Sequence, residues 1–233
     1  MSWINGPLLG FDTETTGTNT DTDRIVTAAL VFSTGPGRAG ETVATWLIDP
    51  GVEIPEAAAR VHGISTAHAQ QYGMPSRPAL EEIAARLTEA LQQGTPIVAF
   101  NGSFDLRIIE AELTRHDLPT LADRLGHDIA PVIDPLVLDR GLDRFRKGKR
   151  TLSAVMEHYG VQADGTMHTA DVDVSMTLDV LRAMAEKFPE VGGTELPELH
   201  KKQIELHRAW AENFNEFLKK KGKTPDASTT WPL

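Results

Sequence analysis

In "LGFDTETTG" (9–17) an apolar run ends in two acids that are separated by one residue. Strand side chains alternate between faces, so Asp12 and Glu14 share one face and Thr13 points to the other. Like charges so placed repel, and at the end of a buried strand they also lose water. No lysine or arginine precedes Arg24. "NGSFD" (101–105) puts Asp105 just inside a helix that starts where a short strand ends. "HTADVD" (168–173) puts His168 on a loop and Asp173 in the first turns of the next helix. Sheets covered by helices bind ligands at strand ends and helix N-termini, where these four acids are able to meet. Converging carboxylates stay ionised together only if cations join them. An oxygen donor set selects magnesium or manganese over zinc. Two such ions, about 3.5–4 Å apart, clamp an in-line displacement at phosphorus. His168 is the candidate to take the proton of the attacking water, since imidazole titrates near neutrality. Each member also has a plainer reading: Asp105 and Asp173 sit where a helix dipole favours any carboxylate, and a strand end can simply be hydrated. The combination points to metal-dependent phosphoester chemistry; no single acid does.

The elements that must position these groups read as follows. "PLLGFDTE", "RIVTAALVF" (24–32) and "ETVATWLID" (41–49) are strands separated by Thr/Asp-rich and Gly/Pro-rich turns. "PALEEIAARLTEALQQG" places Leu80, Ile83, Ala84, Leu87 and Leu91 on one helical face, and Gly94 stops it. "PIVAF" (96–100) is a buried strand, and the helix after Asn101-Gly102 turns Leu106, Ile109 and Leu113 inward. "PVIDP" is a further strand, leaving through Asp134-Pro135 as an N-cap followed by proline at the first helical position. Helices over about 151–159 and 169–185 follow. Three strands and then alternating helices and strands predict an α/β fold, a mixed five-stranded sheet with helices on both faces. Residues 1–186 form the predicted domain, and 187–233 a linker plus an amphipathic helical tail. In that tail Trp210, Phe214, Phe217 and Leu218 recur at core spacing.

The chain of 233 residues is 40% apolar and 24% charged, as in ordinary globular proteins. It contains no cysteine, which excludes disulfides, thiolate metal sites and a cysteine nucleophile. No apolar run reaches the roughly 20 residues of a membrane span, and the start lacks a secretory pattern, so a cytoplasmic protein with no membrane partner is expected. The net charge of −10 argues against bulk coating of a duplex, while basic residues concentrate in "RFRKGKR" (144–150) and "LKKKGK" (218–223).

The ordered set of motifs resembles the DEDDh family of 3′–5′ exonucleases, the group of the proofreading epsilon subunit and oligoribonuclease. "FDTETTG", "AFNGSFD" and "HTADVD" are similar to its three motifs, with Asp12, Glu14, Asp105, His168 and Asp173 at the family's catalytic positions. "VHGIS" (61–65) looks like a further family segment. The likeness covers about residues 7–186. It implies a ribonuclease-H-like fold and two Mg2+ or Mn2+ ions held by the four acids, with His168 as general base. The implied reaction is hydrolysis at the 3′ end of single-stranded nucleic acid, DNA favoured, releasing nucleoside 5′-monophosphates. It places Thr13, Thr15, His62, Asn101 and Phe104 around the terminal nucleotide. Family members often carry a glutamate five residues before the "VHG" histidine; here Ala57 holds that position, with Glu56 beside it. The resemblance leaves open an RNA-directed exonuclease, or an idle module that only binds nucleic acid or a polymerase. A homodimer or a polymerase partner is compatible with it. Arg144, Arg146, Lys147, Lys149 and Arg150 are either substrate-backbone contacts or a solvated loop.

Overall fold

The computed structural model describes residues 2–162 and 170–233. Six strands form one sheet: β1 (Leu8–Thr15), β2 (Ile25–Ser33), β3 (Glu41–Asp49), β4 (Met74–Pro75), β5 (Ile97–Val98) and β6 (Val132–Ile133). Their order is β4-β3-β2-β1-β5-β6. The pairs β1–β2 and β2–β3 are antiparallel, as short turns allow. β5 and β6 add in parallel beyond β1, each reached through a helical crossover. The sixth strand, absent from the sequence expectation, is β4. It is two residues long and pairs in parallel with Ile48 and Asp49, too short to leave a periodic signal.

Among the described residues ten α-helices surround the sheet: α1 (Glu56–His62), α2 (Thr66–Tyr72), α3 (Ser76–Gln92), α4 (Gly102–Arg115), α5 (Leu121–Leu125), α6 (Pro135–Leu142), α7 (Leu152–Tyr159), α8 (Ala170–Lys187), α9 (Pro189–Gly193) and α10 (Leu196–Lys220). Capping follows the sequence where it can be read. Asp134 accepts the Leu136 N–H ahead of Pro135, and Thr151 accepts the Ala154 N–H ahead of α7. None of the described helices is long and apolar enough to cross a membrane.

β1 is buried on both faces and divides two cores. Leu9 and Phe11 pack with Leu80, Ile83 and Leu87 of α3 and with Leu106 and Ile109 of α4. Leu8 packs on the other side with Val174, Leu178 and Leu181 of α8. Gly10 belongs to the α8 face. A Cβ there would run into Val174 Cγ1 and lie 3.4 Å from Leu178, so its missing side chain lets α8 approach β1 closely. The β1–β2 register shifts between Glu14 and Thr15, where Glu14 faces Thr27 and Thr15 faces Ile25. This irregularity ends the ladder beside the acids.

The tail holds the expected helix but differs from expectation in two respects. The linker-like stretch contains α9, and α10 lies along β6 and α6. Its buried residues include Leu199, His200, Gln203, His207 and Ala211, whereas Phe214 and Phe217 are 37% and 51% exposed. Trp210 stacks on Phe214 at 5.4 Å and lies under the Arg140 guanidinium at 3.7 Å. The predicted aromatic core stripe is thus mainly a surface ladder. The reason is what α10 covers: a strand edge has backbone groups to satisfy, and Phe cannot do so. The patternless C-terminus also returns to the body, where Trp231 is buried 5.2 Å from the His200 ring.

Candidate active site

The four acids arrive from both faces of β1. Asp12 and Glu14 point to the α8 side, where Asp173 lies in the first turn of α8. Asp105 lies in the first turn of α4, on the opposite side, and is 3% exposed. Thr13 is the link. Facing α4, it donates its backbone N–H (3.0 Å) and its hydroxyl (2.7 Å) to Oδ1 of Asp105. Among the residues that the resemblance places around the nucleotide, Thr13 therefore has a different position. It is 6% exposed, and its polar groups hold the Asp105 carboxylate.

The electrostatics match a cation site. Asp12 has its pKa raised well above the usual carboxylate range, first by burial and then by Asp105, Glu14 and Asp173. Asp105 is raised to about 7, mainly by burial, against the two Thr13 hydrogen bonds that favour its ionised form. Among the described residues no three such groups already converge into a ready-made cation cage. The donors are nonetheless all carboxylate oxygens, which fit a hard divalent ion. His168 lies outside the described residues.

A carboxylate beneath the site, read from sequence only as an N-cap, holds the turn that presents Asp105. Asp134 is 1% exposed and accepts three backbone N–H groups: Asn101 (3.0 Å), Gly102 (3.0 Å) and Leu136 (2.9 Å). Burial raises its pKa to about 6 against those three bonds. Asn101 has φ 62, a left-handed conformation that asparagine tolerates better than most residues. A Cβ on Gly102 would lie 2.7 Å from that of Ala99, so the turn is tight as well as pinned. The only sequence signal for this role is the acid before Pro135, which any helix start explains equally well.

Asn101 is exposed and Phe104 half-buried at the N-terminus of α4. The Thr15 hydroxyl donates to the Gly17 carbonyl (2.6 Å), so it shapes the turn after β1. His62 ends α1. Its Nδ1 accepts the Ile64 N–H (3.2 Å), which leaves the proton of the neutral ring on Nε2. Burial lowers the His62 pKa, and the Thr15 backbone acts the other way. His62 and Glu14 line one cleft of about 250 Å3 with Thr27, Trp46, Ile64 and Asp171. In the basic loop, Arg146 (2.8 Å) and Arg150 both pair with fully buried Asp139, which also accepts the Tyr159 hydroxyl (3.0 Å). These two arginines close an internal charge cluster, whereas Arg144 lies 5.1 Å over the exposed ring of Phe145.

Comparison with known proteins agrees with this construction. A DNA polymerase III subunit epsilon-like protein of Rhodobacter capsulatus is 31% identical over 198 residues. The match covers 82% of this chain and 26% of the relative, so the chain spans about a quarter of that protein. Among solved structures, E. coli Exonuclease I in complex with a dA16 oligonucleotide superposes with a TM-score of 0.68 at 17% identity, over 87% of this chain and 44% of that one. An Exonuclease I from Methylocaldum szegediense gives 0.64 at 20% identity, over 91% and 46%. These likenesses show the fold, a ribonuclease-H-like mixed sheet flanked by helices. The exonuclease family model RNase_T matches residues 9–181, a span that holds all three acidic motifs, and the chain belongs to that family.

Proposed function

We propose that the protein is a metal-dependent 3′–5′ exonuclease acting on single-stranded ends, with DNA as the favoured substrate. The observation that carries this reading is the Asp12 cluster: a half-buried carboxylate whose pKa is raised by burial and by three other acids from separate motifs. Two Mg2+ or Mn2+ ions, when bound, would supply the Lewis acidity that a phosphodiester needs. Asp12, Glu14, Asp105 and Asp173 are the residues to hold them. His168 takes the proton of the attacking water on a ring nitrogen. Attack at the terminal phosphodiester breaks the bond from phosphorus to the 3′ oxygen of the preceding nucleotide. That oxygen takes up a proton, and a nucleoside 5′-monophosphate leaves. His62 lines the cleft beside Glu14, where its ring would flank the terminal nucleotide. Asn101 and Phe104 frame the opposite side from the α4 turn. The complex of E. coli Exonuclease I with dA16 supports a single-stranded substrate. The epsilon-like relative supports a place beside a polymerase.

The test uses 5′-labelled single-stranded DNA and RNA oligonucleotides of matched sequence, with Mg2+ or Mn2+. The expected result is a ladder shortening from the 3′ end, with mononucleotide release and DNA degraded faster. A folded protein that degrades neither polymer with either ion overturns the reading, and faster RNA degradation overturns the substrate preference.

A further inference from the structure

Among the described residues no strand lies beyond the outer edge of β6, yet its backbone is satisfied. On the inner side, the Pro131 and Ile133 carbonyls accept from Ile97 and Ala99 (both 3.1 Å). On the outer side, the Val132 N–H donates to His200 Nδ1 (3.1 Å), and the Val132 carbonyl accepts from Gln203 Nε2 (3.0 Å). The Asp134 N–H donates to Gln203 Oε1 (2.7 Å). The Gln203 amide thus donates to the carbonyl of one residue and accepts the N–H of the residue two further on. That is what a residue of a seventh parallel strand would do. Gln203 is fully buried, on a helix beyond the family-matched residues 9–181. The residue whose N–H it fixes is the one whose carboxylate holds the Asn101 and Gly102 amides. Asn101 keeps its left-handed conformation in that grip, and Asp105 and Phe104 follow within one helical turn.

We propose that Gln203 is a positioning residue for the active site, acting through Asp134 to fix the turn that presents Asp105. Its bearing on catalysis rests on the nuclease reading. The mechanical part, an α10 side chain ordering the 101–105 turn, stands apart from it.

The test compares the full-length protein with Gln203→Leu and Asp134→Asn, well below their unfolding temperatures. Gln203→Leu keeps most of the volume and leaves the Asp134 N–H and Val132 carbonyl without their partner. Asp134→Asn leaves α10 intact but turns a donor towards the Gly102 N–H. The expected signature in both is amide exchange at 101 and 102 faster by about 10-fold, with Mn2+ affinity by calorimetry weaker by about 10-fold. On a long oligonucleotide kcat should fall by about 10-fold with KM within about twofold. The double variant should be no worse than the worse single, because both cut one chain of contacts. Gln203→Leu that lowers Tm but leaves exchange at 101 and 102 and Mn2+ binding unchanged overturns the proposal; so does full additivity. Should Gln203→Leu fail to fold, Gln203→Asn, which keeps an amide but shortens its reach to Val132 and Asp134, decides by the same exchange readout. If wild type degrades no nucleic acid, the nuclease reading fails, and the exchange data still judge the linkage.

Discussion

Replacing Thr13 by valine removes one hydroxyl and keeps the β-branched shape, so β1 and its packing persist. The 2.7 Å bond to Asp105 Oδ1 goes, while the backbone N–H at 3.0 Å stays. Asp105 sits near 7 because burial raises it and the Thr13 bonds hold it down. A buried hydrogen bond to a charged acceptor is worth about 1.5–3 kcal/mol. At about 1.36 kcal/mol per pH unit, its loss moves the Asp105 titration up by about 1–2 pH units. The ionised fraction at pH 7 then falls from roughly one half to roughly 1–10%. A cation must displace that proton, so apparent Mn2+ affinity at pH 7 weakens by about 5- to 50-fold. The nuclease rate at limiting Mn2+ falls in step. The sign gives the test its force: deprotonation restores the ligand, so variant and wild type converge as pH rises towards 9. Calorimetric Mn2+ titrations and oligonucleotide degradation from pH 6 to 9.5 read the profile, and Thr13→Ser should return it to wild type. A uniform loss across the range with an unmoved profile would refute the reasoning, since it would mean that Thr13 acts on shape alone.

Asp12→Asn should abolish Mn2+ binding yet raise the melting temperature of the metal-free protein at pH 8, at about 2–4 °C per kcal/mol. A folded pKa raised by burial and repulsion means that wild type loses stability as pH rises through that pKa, so the gap should close in acid; a lower melting temperature at pH 8 contradicts this. Gly10→Ala forces a methyl into Val174 and Leu178. Urea unfolding should show a loss of about 1–3 kcal/mol, and activity should fall as α8 carries Asp173 away; unchanged activity would show that the close approach is unneeded. Asp139→Asn leaves Arg146 and Arg150 facing a neutral group in a buried cluster. It should cost about 3–5 kcal/mol by urea denaturation while the folded fraction retains its nuclease rate.

The sequence made some of this legible because the physics is local. Strand alternation alone put Asp12 and Glu14 on one face and Thr13 on the other, and the structure assigns those faces to α8 and α4. The Asp134-Pro135 helix start and the apolar face of α3 were readable for the same reason. What escaped depends on partners far away in the chain. Thr13 gains its role only because Asp105 arrives 92 residues later on the face that it points to. Arg146 and Arg150 read as surface basics until α6 supplies the buried Asp139. In α10, helical spacing singled out the aromatics, and the buried polar residues His200 and Gln203 broke the expected pattern. Periodicity ranks residues by hydrophobicity and cannot register a helix that faces a strand edge.

That edge has a consequence for the order in which the molecule is made. Synthesis from the N-terminus supplies β1, α4 and β6 before the helix that closes the sheet, and Asp134 waits 69 residues for Gln203. During that interval β6 shows an open row of backbone donors and acceptors, the surface on which a second nascent chain can add a strand. Among the described residues the longest helix, α10, follows all six strands. Its arrival ends the exposure, because a helix that lends side chains to a strand has no free ladder of its own to extend.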